Sequence, residues 1–128
     1  MLQKGSTFMT RAVYDDKEHL SVLVTDATDP PPRYLMLNFT TLRPQFKNPD
    51  LTCTVDVGVH PNIIDPSMVS YQHADIVFEN QLNERIQAGK LREVEPISEA
   101  ILQDMLSGVR QSDRTKPFVK TFLDELGV

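Results

Sequence analysis

The chain has 128 residues, 40% of them hydrophobic, the size of one domain that buries a core without covalent staples. Its net charge of −5 argues against non-specific nucleic-acid binding, but the charge is uneven. Residues 1–60 carry six Lys/Arg against seven Asp/Glu, and residues 61–128 carry seven against eleven, so the acidity sits in the second half.

One cysteine, Cys53, excludes an internal disulfide framework and suits a reducing compartment. No apolar run approaches the ~18 residues of a membrane span, and the opening MLQKGSTFMTR lacks a signal-peptide core. A soluble, cytoplasmic protein with no membrane contact is expected.

In chain order, residues 7–14 mix β-branched and aromatic side chains and predict a first strand, followed by a charged turn over 15–18. Residues 19–25 (HLSVLVT) predict a strand buried on both faces. Asp29-Pro30-Pro31-Pro32 cannot donate ladder hydrogen bonds and reads as a loop. The next strand, 34–40, places Leu35, Leu37 and Phe39 on one face and Tyr34, Met36, Asn38 and Thr40 on the other. A loop with two prolines covers 41–50. Residues 52–57 alternate, with Cys53, Val55 and Val57 facing one way, which makes Cys53 a small core residue.

Residues 58–66, with Gly58, Pro61 and Pro66, form a turn region, and 68–71 and 74–78 are short strands. Strands this short at about ten-residue spacing suggest a barrel or sandwich. The period then changes. Residues 79–88 favour helix and Gly89 stops it. Pro96-Ile97-Ser98-Glu99 opens a helix with Ile101, Leu102, Met105, Leu106 and Val109 in one apolar stripe. Ser112 or Asp113 is placed to cap another, whose stripe is Phe118, Val119, Phe122, Leu123 and Leu126 before Gly127. The expected class is α+β and mainly β: a single domain with a small antiparallel barrel over 1–78 and a helical appendage of two or three helices over 79–128.

Histidines 19, 60 and 73 with one cysteine show no metal-ligand spacing, and no P-loop, GxGxxG or GxSxG occurs, so no cofactor is expected. What remains is a set of polar groups at strand ends: His19, Asn38, Thr40, Thr41, Arg43 and His60. Each alone is compatible with an ordinary structural role. Together, two imidazoles, hydroxyls and a guanidinium are what metal-independent RNA cleavage needs. A base takes the 2′-OH proton, an acid protonates the leaving 5′-oxygen, and donors stabilise the phosphorane charge.

HLSVLVTD followed by a loop and YLMLNFTTLR resembles the second and third strands of the MazF/Kid/PemK toxins, and DPSMVSYQHADIV resembles a later segment of that family. The resemblance covers residues 5–80. It implies an SH3-like barrel, usually a homodimer, that cleaves single-stranded RNA without a metal and takes a cognate antitoxin peptide into its RNA groove. By position, the family's catalytic Thr falls on Thr40, and its catalytic Arg falls on His19, which departs from the pattern because imidazole is not a permanent cation. The endoribonuclease expectation therefore assigns His19, Thr40 and His60 to catalysis and Asn38, Thr41 and Arg43 to substrate binding. The alternative is a non-catalytic barrel that binds a protein partner.

Overall fold

A computed structural model describes residues 2–11 and 17–128. Among them are seven strands and three α-helices: β1 (Thr7–Arg11), β2 (Glu18–Leu23), β3 (Arg33–Thr41), β4 (Thr54–Val55), β5 (Ser67–Val69), β6 (Asp75–Phe78), α1 (Glu79–Gln87), β7 (Leu91–Val94), α2 (Glu99–Gln111) and α3 (Pro117–Leu126). The class is α+β with an antiparallel sheet. The end of the expected first strand and most of the charged turn, residues 12–16, lie outside the described residues.

The sheet runs β4-β5-β3-β2-β1-β7, and β6 also pairs with β3. Every pairing is antiparallel. The long strand β3 organises it. One edge of β3 meets β2, with Ser21 opposite Asn38 and Leu23 opposite Met36. The other edge meets β6 along Arg33–Met36 and then β5 along Phe39–Thr41, with a 3-10 turn at Tyr71–His73 between them.

Among the described residues the expected barrel is not closed by hydrogen bonds. The hydrogen-bonded path begins at β4 and ends at β7 without joining the two. β4 spans only two residues before the chain turns away, too short to offer β7 a ladder. The same shortness ends the expected alternation: Cys53 and Val55 are buried, but Val57 is 58% exposed.

Strands buried on both faces need two cores, and both are found. Leu20, Val22, Leu35, Leu37 and Phe39 belong to a large cluster with Leu102, Met105 and Val109 of α2 and Val119, Phe122 and Leu123 of α3. The opposite face gives Phe8, Leu23, Tyr34, Met36 and Val77 to a smaller cluster with Leu82 of α1 and Leu91 of β7. The alternation expected of β3 thus sorts its side chains between two clusters. Tyr34 ends against Glu79, with its hydroxyl 2.9 Å from the carboxylate. Burial and then that carboxylate push the phenol up to about 12.

The helices start and stop where local chemistry dictates. The Ser98 hydroxyl accepts from the Ile101 N–H at the start of α2, and Gly89 (φ +75°) and Gly127 (φ +73°) take the left-handed conformation after α1 and α3. The cap expected at Ser112 or Asp113 is corrected. Ser112 closes α2, and α3 begins at Pro117, whose fixed φ and missing N–H suit a first helical position. The 79–128 segment is not helical throughout, because β7 pairs with β1. Its alternation is masked in sequence by Arg92 and Glu93, which face solvent on an edge strand.

Candidate functional site

His19, Thr40, Thr41 and Arg43 line one concave surface of about 560 Å³, joined by Lys17, Phe46, Asn62 and Asp65. Its position follows from β3. The β2–β3 ladder ends at Ser21 and Asn38, and Thr40 and Thr41 pair instead with Met68 and Ser67 of β5. Where the ladder ends, the buried His19 ring spans the strands: its Nδ1 lies 3.0 Å from the Phe39 carbonyl. A carbonyl only accepts, so Nδ1 carries a hydrogen. Thr40, Thr41 and Arg43 are half-buried.

His60 and Asn38 stand elsewhere. His60 is not among the groove residues, and its neighbours Asn62 and Ile63 are. Its ring is buried and held at both nitrogens. Nε2 donates to the Glu95 carbonyl at 2.6 Å, and Nδ1 accepts from the Asn62 N–H at 3.0 Å. A backbone N–H must donate and a carbonyl must accept, so these bonds fix one tautomer. His60 therefore pins the 58–66 turn to the chain just after β7 and has no nitrogen turned to the groove. Asn38 accepts from the Ser21 hydroxyl at 2.9 Å and lines a second, larger cavity of about 920 Å³.

That larger cavity was not foreseen. It is lined by Thr10, Glu18, Met36, Asn38, Gln72, His73, Asp75, Arg85, Lys90, Lys116 and Phe118, among others, and it shares Glu18 with the groove. Its residues come from strands, the 3-10 turn and two helix ends, so no sequence spacing announces it. Among the described residues no group of three or more His, Cys, Asp or Glu is placed to hold a metal ion. None of the described helices is long and apolar enough to cross a membrane.

Cys53 is buried, and burial pushes its thiol above the ordinary value although the Tyr71 hydroxyl pulls the other way. A thiol so placed is a poor nucleophile and a good packing group. A buried carboxylate escaped the sequence reading. Asp50 accepts from the Ser112 hydroxyl at 2.6 Å and from the Thr52 N–H at 3.0 Å, tying the loop after β3 to the α2–α3 junction. Arg114 adds a bond to the Asn48 carbonyl.

No family model matches the chain, and neither a curated protein nor a solved structure matches it.

Proposed function

We propose that the chain is a toxin-like, metal-independent endoribonuclease acting on single-stranded RNA at the His19 groove. The supporting observation is that His19, Thr40, Thr41 and Arg43 share one concave surface. In this reading His19 takes the 2′-OH proton and the 2′-oxygen attacks phosphorus. The bond to the 5′-oxygen then breaks, leaving a 2′,3′-cyclic phosphate. Arg43 and the Thr40 and Thr41 hydroxyls carry the charge that builds on the non-bridging oxygens. With His60 committed to backbone, the departing 5′-oxygen takes its proton from water. The protein would act in the cytoplasm as a homodimer, with an antitoxin peptide as competitor for the groove.

The test is incubation of the wild type with a mixed RNA pool in excess chelator, beside His19→Ala and Thr40→Ala, with growth arrest scored in parallel. His19→Ala should lose about 10²–10⁴-fold of the rate, the usual contribution of a general base. Cleavage that persists unchanged in His19→Ala removes the assignment. A second reading, a non-catalytic interaction module, is favoured by the exposed apolar side chains Val57, Val59 and Ile64, the last 77% exposed and on the groove's edge. Intact RNA after incubation with folded wild type would leave that reading in possession of the groove.

A further inference from the structure

The larger cavity gathers more cations than carboxylates. Arg85 lies in the last turn of α1, Lys90 follows that helix, and Lys116 stands at the start of α3. None of the three forms an ion pair with another described residue. Two carboxylates also line the space. These are Glu18, 4.0 Å from Arg92, and Asp75, so three cations share the lining with two carboxylates. In a chain of net charge −5, this local excess of positive charge is the reverse of the molecule as a whole. The helix dipoles do not account for it, since the negative end of α1 and the positive end of α3 both meet the cavity and offset each other. The side chains set the sign, and an anion relieves their mutual repulsion.

The rest of the lining narrows the ligand. Phe118 belongs by spacing to the apolar stripe of α3, yet it is 49% exposed and borders the cavity while Val119 is buried. An aromatic face beside cations accepts a stacked base. Met36 adds an apolar contact, and Gln72 offers both donors and an acceptor. A volume of about 920 Å³ accommodates a nucleotide.

We infer that this cavity binds a nucleoside phosphate, with its phosphates on Arg85, Lys90 and Lys116 and its base against Phe118. The cavity adjoins the His19 groove at Glu18, and binding in it does not require cleavage in the groove. The same chemistry arrives either as a free nucleotide or as one nucleotide of a single strand.

Equilibrium titration of the full chain with ATP, adenosine, tripolyphosphate and hexa-adenylate tests this. Wild type should bind ATP saturably and at least about tenfold more tightly than adenosine or tripolyphosphate, since adenosine lacks the phosphates and tripolyphosphate lacks the base. Arg85→Gln/Lys90→Gln/Lys116→Gln should weaken ATP by about tenfold or more, the scale of charge-assisted bonds, and should flatten the salt dependence. Phe118→Ala should weaken it about five- to hundredfold through lost stacking. Lys90, Lys116 and Phe118 are exposed, and thermal melts of the variants establish that they fold. Hexa-adenylate binding far above ATP identifies a strand as the source, and equal or weaker binding identifies the free nucleotide. Saturable binding of none of the probes, tripolyphosphate binding as well as ATP, or affinity unchanged in the triple variant overturns the inference.

Discussion

Asp50 shows how a single buried group joins distant parts of the chain. Its carboxyl is held below the ordinary value of 3.8: burial pushes it up, and the bonds from Ser112 and Thr52, with Arg114 nearby, outweigh that. A depressed carboxyl stabilises the fold fully above the unfolded value, and the stabilisation is lost as pH falls through the folded one. Asp50→Asn should therefore cost about 1–3 kcal/mol at pH 7, with the difference from wild type shrinking below about pH 4, as read from urea denaturation across pH. Gly108 is constrained in a different way. A Cβ there would lie 1.9 Å from the Tyr71 hydroxyl oxygen, which already donates to the Met105 carbonyl at 2.7 Å. Gly108→Ala gains about 1 kcal/mol of helix propensity and loses about 2–3 kcal/mol or more to overpacking, so net destabilisation is expected. Tyr71→Phe should not restore it, because the ring Cζ would still stand 2.5 Å away. A denaturation midpoint at or above wild type for Gly108→Ala would show that α2 can shift off Tyr71. Neither constraint is visible in sequence, because it depends on which residue a distant element delivers: Asp50 and Ser112, or Gly108 and Tyr71, share no local pattern.

Strands and helices were easier to read than their partners. The apolar period of 19–25 and 34–40, and the stripe of α2, each correspond to an element close to its expected bounds. Those patterns arise from burial on defined faces, which periodicity records directly. β7 escaped because an edge strand of four residues with two solvent-facing charges carries too little apolar signal. The site was legible only in part for a related reason. His19, Thr40, Thr41 and Arg43 converge because β2 and β3 are neighbours, whereas His60 is drawn away by backbone bonds that no motif encodes. The stripe of α2 and, apart from the exposed Phe118, that of α3 meet the sheet within the large cluster, so they are structural. A chain ending at Val94 would expose Leu35, Leu37 and Phe39. It should lose cooperative unfolding and near-ultraviolet circular dichroism, and a sharp melting transition in that fragment would contradict the packing described.

The whole molecule has two cores separated by one sheet. Leu82 belongs to the small cluster under α1 and Leu102 to the large one under α2. Each replacement by Ala should cost about 2–5 kcal/mol, and because the two share no cluster, the double variant should lie within about 0.5 kcal/mol of the sum. Coupling well beyond that in a double-mutant cycle would mean that the sheet transmits strain from one cluster to the other. The pairing of β1 with β7 has a temporal side. Thr7 faces Val94, and the Thr7 hydroxyl accepts from the Ile97 N–H, 90 residues along the chain. With synthesis running N-terminus first at about 5–20 residues per second, β1 waits roughly 4 to 17 s for its outer neighbour. Throughout that interval the nascent sheet has an open hydrogen-bonding edge, so the chain's exposure to misassembly is set by how long it takes to make β7 and not by how fast β1, β2 and β3 pair.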